Sequence, residues 1–225
     1  MKNYLLENYK YWNFDYDSKN VESVIFRLLT ILERFYIKKN LYFLDFGCGQ
    51  GASVNYLINK KHKAIGVDIS KKNIEIGNKF FKFDKLYTVP IDSFNCDFTK
   101  YNNNNKFDVI LCQQSIYYFS EEHFKKILDN FFNALNKNGI LYFSVISTKH
   151  TLFKKSKKKY TSWLYSHKFN YKKGNSLNHT FFVSSPKKFY KKYLSKFKLL
   201  HIGEYFMQLT SKTTNNHHYT FILQK

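Results

Sequence analysis

The chain has 225 residues, of which 44% are hydrophobic and 20% aromatic. This composition excludes an intrinsically disordered protein and fits one α/β domain. No apolar run approaches the length of a membrane span, and the acidic and aromatic first residues are unlike a signal peptide, so we expect a cytoplasmic protein without membrane attachment. The three cysteines have neither metal-type nor redox spacing, and we expect no metal site.

The formal net charge of +21 is distributed unevenly. Residues 1–129 contain 19 Lys or Arg and 15 acids, whereas residues 130–225 contain 18 Lys and one acid, Glu204. Such an excess is typical of nucleic-acid-binding proteins. However, Arg27 and Arg34 are the only arginines. An AT-rich genome also produces, by codon bias, a composition rich in Lys, Asn, Phe, Tyr and Ile together. A functional basic surface and codon bias therefore both stay open.

The first part of the chain predicts an irregular segment and then a helix. Residues 1–16 are rich in Tyr, Trp and Asn. From Asp17 or Ser18 to Phe35, apolar residues recur at helical spacing, which predicts a long amphipathic helix packed on a sheet.

Three alternating glycines follow the first predicted strand, at 41–44. Asp45 ends this strand, and Gly47, Gly49 and Gly51 precede a predicted helix over 51–59. Glycine permits a sharp turn and lets backbone N–H groups approach a ligand at the start of the helix. The spacing fits neither the dinucleotide fingerprint nor the P-loop. The alternative is a tight turn that binds nothing.

A second acid supports a binding site. The second predicted strand begins at Ala64 and ends in Asp68, seventeen positions after Gly51, about where an acid that binds ribose hydroxyls is expected. Because the carboxyl ends of parallel strands meet at one crevice, Asp45 and Asp68 are predicted to face the same ligand. Ser70 is predicted to cap the next helix, which ends near Phe81.

The pattern Asp-x-Gly-x-Gly-x-Gly at 45–51, together with Asp68, resembles motif I and the following acid of the class I S-adenosylmethionine (SAM) dependent methyltransferases. The resemblance implies one Rossmann-like α/β domain over 1–225, with a mostly parallel seven-stranded sheet in the order 3-2-1-4-5-7-6, helices on both faces and a terminal antiparallel hairpin. It also implies that residues 1–38 form a lid and a helix near the cofactor. The cofactor residues implied for SAM are Asp45, Gly47, Cys48, Gly49, Gly51, Asp68, Ile69, Asp97, Phe98 and Gln113.

Two of these assignments depend on later strands. A third strand is predicted at 93–96, followed by Asp97, where the family has an acid that accepts a hydrogen bond from the adenine amino group. The alternative is that Asp97 is only a turn residue. After the fourth predicted strand, 107–112, Gln113 is expected at the methionyl part of SAM. Tyr117 faces the acceptor or belongs to the core.

The segment 113–119 resembles that of small-molecule methyltransferases, and it lacks the Asn/Asp-Pro-Pro-Tyr/Phe loop of enzymes that methylate DNA amino groups. The remaining predicted elements are a helix over 121–136 with a left-handed Gly139 cap, a fifth strand at 140–146, a helix starting at Ser185-Pro186 and a hairpin of 199–208 with 218–223.

Residues 147–184 form a basic, aromatic insertion, which is predicted to cover the acceptor or to be a solvated loop. The leading hypothesis is a methyltransferase acting on an oxygen or nitrogen of a small, anionic metabolite or nucleotide-linked sugar attracted by these lysines. The catalytic candidates are Tyr117 and a general base, His179 before His150 and His123. There are two alternatives. One is methylation of RNA or protein, although the scarcity of arginine disfavours nucleic acid, and the other is a non-catalytic relative that binds SAM. A monomer or homodimer is expected.

Overall fold

The computed structural model describes residues 5–6, 9–10, 19–35, 40–154, 164–166, 169–170, 176–177, 180–206 and 216–225. The helices in these ranges are α1 (Ser23–Phe35), α2 (Ala52–Asn59), α3 (Lys71–Phe81), α4 (Glu121–Ala134), α5 (Thr151–Lys154) and α6 (Pro186–Phe189), which continues as a π-helical turn over Tyr190–Leu194. The main sheet contains β1 (Tyr42–Phe46), β2 (Lys63–Asp68), β3 (Leu86–Thr88), β4 (Phe107–Cys112), β5 (Leu135–Ile146), β6 (Lys198–Tyr205) and β7 (His218–Gln224).

The seven strands lie in the order β3-β2-β1-β4-β5-β7-β6, which confirms the predicted topology. Strands β1 to β5 pair in parallel, because helical or long connections bring the chain back to the same end of the sheet. Strand β7 pairs antiparallel with both β5 and β6 and so closes the sheet.

Both faces of the sheet are covered, and the sequence of β4 shows how. Val109 and Leu111 pack in the same cluster as the buried residues of α1 and α2, whereas Ile110 and Cys112 pack with those of α4. Successive side chains of a strand point to opposite faces. A strand between two helical layers is therefore apolar at nearly every position, as this one is.

Serine side chains start three of the helices, as the sequence predicts. The Oγ of Ser70 accepts a hydrogen bond from the backbone N–H of Asn73. Ser120 and Ser185 form the equivalent bonds to His123 and Lys188 at the starts of α4 and α6. Each bond satisfies an N–H group that has no partner within its helix.

The predicted third strand at 93–96 is wrong. Strand β3 is Leu86–Thr88, which pairs with Gly66–Asp68, and residues 93–95 form a 3₁₀ turn. The Asn78 side chain supports this short edge strand, since its amide bonds both the N–H and the carbonyl of Leu86. Pro90 does not oppose a strand at this place, because it follows the last paired residue.

The predicted left-handed cap at Gly139 is also wrong. Asn138 adopts the left-handed conformation, with φ of 64°, and Gly139 does not. Gly139 is required for a different reason, since a Cβ there would lie 2.9 Å from the carbonyl oxygen of Asn136.

The described part of the 147–184 insertion forms two short antiparallel ladders apart from the main sheet, and Val183 forms an isolated bridge with Ser147. Leu164–Ser166 pairs antiparallel with Phe181–Val183, and Phe169–Asn170 pairs with Ser176–Leu177. Phe182 and Val183 are fully buried in the main core. Whether the insertion covers the acceptor stays a prediction, because most of its lysines lie outside the described residues.

Among the described helices, none combines the length and the apolar character that crossing a membrane requires.

Candidate active site

The loop between β1 and α2, residues 47–51, is called the glycine loop below. Its three glycines all have positive φ, of 74°, 55° and 82°. The N–H of Gly47 donates to the carbonyl of Val67 over 2.8 Å, which ties the loop to the end of β2. A Cβ on Gly47 would lie 2.5 Å from the Cβ of Ser115. The glycine pattern is therefore required by both the backbone conformation and the close packing.

Asp68 is bonded to the glycine loop. Its Oδ2 accepts a hydrogen bond of 2.9 Å from the backbone N–H of Gly49, and its Oδ1 accepts one of 2.8 Å from Ser70. Burial raises the pKa of the Asp68 carboxyl, and these backbone bonds counteract part of that increase. A carboxylate can accept about four hydrogen bonds, so Asp68 has capacity for a ligand diol in addition to the loop.

Asp45 is a buried acid with no hydrogen-bond or ion-pair partner among the described residues. Its side chain is only 4% exposed. Burial, together with the charge of the neighbouring Asp68, raises the pKa of Asp45 to about 7. A buried acid without a partner is unfavourable by itself, so this position is suited to a ligand that brings a positive charge or a donor.

The glycine loop and the two acids line one cavity of about 450 Å³, at the carboxyl ends of β1, β2 and β4. The cavity is within the size range of small-ligand sites. It brings together seven of the ten predicted cofactor residues, namely Asp45, Gly47, Cys48, Gly49, Asp68, Ile69 and Gln113. Leu5 from the predicted N-terminal lid is also in its wall.

Residues 16–184 match the family model described as a methyltransferase domain. The chain belongs to the class I SAM-dependent methyltransferase family.

Solved methyltransferase structures share the fold of this chain. N-methyltransferase NodS from Bradyrhizobium japonicum, in complex with S-adenosylhomocysteine (SAH), matches with a TM-score of 0.65 and 12% identity over 98% of both chains. A SAM-dependent methyltransferase from Anabaena variabilis matches with a TM-score of 0.67 and 16% identity, over 98% of this chain and 94% of that one.

A ubiquinone biosynthesis O-methyltransferase of Pelagibacter ubique is 30% identical over 109 residues, which are 48% of this chain and 43% of that protein. An uncharacterised protein of Rickettsia prowazekii is 35% identical over 45% of this chain and 41% of that protein. The chain thus matches less than half the length of each of these two relatives.

In this member of the family, Gln113 at the end of β4 is fixed by two tyrosines. Its Nε2 donates to the hydroxyl of Tyr205 over 2.7 Å, and its Oε1 accepts from the hydroxyl of Tyr142 over 3.0 Å. The Nε2 of Gln114 also donates to Tyr205, over 3.1 Å. Tyr205 comes from the last strand before the hairpin turn, so the terminal hairpin helps to position the cavity wall.

The other three predicted cofactor residues do not line this cavity. Asp97 is exposed, and its Oδ1 accepts hydrogen bonds from the N–H and the hydroxyl of Thr99, so it caps a 3₁₀ helix. Phe98 is fully buried and packs edge-on against Phe46. Gly51 shapes the loop instead, as the left-handed residue before α2.

The catalytic candidates are also dispersed. Tyr117 is 4% exposed and its hydroxyl lies 3.5 Å from Nε2 of His218, whereas its neighbour Tyr118 lines the cavity. His179 lies outside the described residues. His123 is stacked on Phe94, with ring centroids 3.7 Å apart.

His150 does not line the cavity. It packs edge-on against His218, and burial, followed by the charge of His217, lowers the pKa of His150 to about 4. Burial also lowers the pKa of His218, to about 3. Both imidazoles are therefore neutral at physiological pH.

Several cavity residues were not predicted from the sequence. Ser93 lines the cavity, is fully buried, and its Oγ has no hydrogen-bond partner among the described residues. Asn20 and Glu22 precede α1 and form part of the mouth. No motif marks these three positions. Within the described ranges, no group of three or more His, Cys, Asp or Glu could hold a metal ion.

Proposed function

We propose that this chain transfers a methyl group from SAM to an oxygen or nitrogen of a small molecule. The observation that carries the proposal is the bond between Asp68 and the N–H of Gly49 at the edge of the cavity. This bond fixes an acid and a glycine loop together at a position where a ribose and an amino-acid tail can be held at once.

The residues of the cavity fit SAM. The remaining lone pairs of Asp68 are available to the ribose hydroxyls, and the unpaired Asp45 suits the methionine ammonium group. The unpartnered Oγ of Ser93 and the apolar side chains of Val89 and Ile91 offer a mixed surface to the adenine. When bound, SAM supplies a methyl group attached to a sulfonium, from which the thioether SAH departs readily.

The protein's own contribution is therefore to hold the acceptor in line and to exclude water. Gln113 is suited to positioning, since two tyrosines fix its amide while one N–H and one lone pair stay available. Tyr118 and Phe119 give the same wall an apolar surface.

Oxygen and nitrogen acceptors both occur among the similar proteins, one of which is a ubiquinone O-methyltransferase and another an N-methyltransferase. The expectation of an anionic acceptor depends on lysines that lie mostly outside the described residues, and it does not enter this proposal. From the sequence, we also propose that the protein is cytoplasmic and is a monomer or a homodimer.

The test is a calorimetric titration of the purified chain with SAH, with NAD titrated in parallel. We expect micromolar binding of SAH and none of NAD. Binding of neither compound would overturn the proposed cofactor, and binding of NAD alone would assign the cavity to a dinucleotide.

A further inference from the structure

The charge of the cavity wall is opposite to that of the whole protein. The charged side chains among its described lining are Glu22, Asp45 and Asp68, and no Lys, Arg or His is found there. The proposed cofactor accounts for Asp45 and Asp68. Glu22 is left without a role in cofactor binding.

Glu22 lines the same cavity as Gln113 and influences the groups that hold Gln113. Burial raises the pKa of Tyr142 and raises that of Tyr205 to about 12, and the nearby negative charge of Glu22 adds to both increases. These are the two tyrosines that hold Gln113. These contributions indicate that the charge of Glu22 acts near Gln113.

Among the described residues, none places a cation beside the Glu22 carboxylate. No salt bridge or side-chain hydrogen bond of Glu22 is found within the described part of the chain, although the residue sits at the mouth of the cavity. A carboxylate on the wall of a cavity without lining cations repels an anion and attracts a cation.

We propose that the methyl acceptor is an amine, and that Glu22 holds its ammonium form at the Gln113 end of the cavity. This inference rests on the proposed function, which it makes more specific. An amine is protonated in water near neutral pH, with a pKa of about 10 for an alkylamine, so it must lose a proton before it can react.

The chemistry balances with groups that are on the cavity wall. The ammonium group transfers one proton to the Glu22 carboxylate or through it to water. The free lone pair then forms the new N–C bond to the methyl carbon, while the C–S bond of the sulfonium breaks and its electron pair stays on sulfur. The products are a methylated ammonium ion and the thioether SAH. Glu22 is exposed at the cavity wall, but the neighbouring protein partly desolvates its carboxyl and raises its pKa, which favours its temporary protonation.

The test uses the full chain saturated with SAH and three probes with the same carbon skeleton: hexylammonium, 1-hexanol and hexanoate. Calorimetry at pH 7 should show that hexylammonium binds about tenfold more tightly than 1-hexanol, with hexanoate weakest. Glu22→Gln should lose about tenfold in affinity for hexylammonium alone. The matched control is Glu33→Gln, which removes the same charge from an exposed position of α1 that does not line the cavity.

Equal or tighter binding of 1-hexanol or hexanoate would overturn the inference, and so would equal losses in the two variants. Loss of SAM affinity in Glu22→Gln with unchanged hexylammonium affinity would place Glu22 against the sulfonium and would also overturn it. These outcomes all assume that SAH binds. Failure of SAH to bind contradicts the proposed function instead, so the two failures are distinguishable.

Discussion

Two aspartates of this chain share the local pattern Asp-x-Ser/Thr but have different structural roles. Asp68 and Asp97 both accept the N–H of the residue two positions later, Ser70 and Thr99 respectively. Only Asp68 accepts a second bond from a distant residue, Gly49. The long-range bond places Asp68 in the cavity wall, whereas the bonds of Asp97 are local and leave it outside.

We therefore expect Asp68→Ala to weaken SAH binding by roughly ten- to a hundredfold, because the ribose loses its acceptor. Asp97→Ala is the matched control and should bind SAH as the unmodified chain does. Calorimetry on both variants is the measurement. A loss in Asp97→Ala would restore this residue to the cofactor site, and unchanged affinity in Asp68→Ala would remove Asp68 from it.

Asp45 should make stability depend on pH. Its pKa is about 7 in the folded protein and about 3.9 in an unfolded chain, so the folded state holds the proton more tightly between these values. The corresponding stability is complete below about pH 4 and is lost as the pH rises through about 7. The Asp45→Asn variant has no group that ionises here, so it does not lose this stability as the pH rises. The variant should match the unmodified chain at pH 4 and exceed it by roughly 1–4 kcal/mol at pH 8.

Urea unfolding at several pH values measures this difference. Asp97→Asn, at an exposed aspartate, should reproduce the unmodified profile. Parallel profiles for Asp45→Asn and the unmodified chain would show that Asp45 is not the buried acid that the cavity geometry indicates.

At the scale of an element, the glycine loop is a binding surface made of backbone. Gly49 has φ of 55° and its N–H points to Asp68. Gly49→Val should abolish measurable SAH binding, because a branched side chain both strains this conformation and covers the N–H groups. The matched control is Asn103→Val, at a left-handed residue with φ of 50° that is outside the cavity.

Asn103→Val carries comparable backbone strain but should keep its SAH affinity. Thermal unfolding of both variants separates loss of binding from loss of fold. Normal SAH binding by a folded Gly49→Val variant would mean that the glycine loop is only a turn.

The elements that the sequence predicted well are those with long apolar periods or clear caps. α3 with its Ser70 cap and β4 between two helical layers are examples. The third strand failed because β3 has only three residues, and its place is set by pairing with β2 and by the Asn78 amide rather than by its own composition. Ser93 and Glu22 could not be predicted, since each reaches the cavity only through the packing of distant elements.

At the scale of the molecule, the strand order was predicted from a resemblance carried by a few residues near Asp45 and Asp68. The acceptor end could not be predicted in the same way, because its residues are brought together from the N-terminal helix, β4 and the terminal hairpin. The expectation of an anionic acceptor came from the lysines of the 147–184 insertion, whereas the described cavity wall contains no lysine.

The positive charge itself should not produce strong nucleic-acid binding. Several described lysines are paired with surface acids, as Lys196 is with Asp129 and Lys71 with Glu75. We expect any binding of a mixed-sequence RNA to fall steeply between about 50 and 200 mM salt, while the affinity for SAH changes little. Fluorescence anisotropy and calorimetry measure the two affinities. Tight RNA binding that persists at the higher salt would favour an RNA substrate.

The position of β7 in the sheet determines the order in which the parts of the protein can fold during translation. β7 is the last of the seven strands to leave the ribosome, but it lies between β5 and β6. Until it emerges, β5 has an unpaired apolar edge and β6, which carries Tyr205, has no neighbour to pair with. The nascent chain can thus form its glycine loop early, but the wall that holds Gln113 is completed only when translation has passed the final strand.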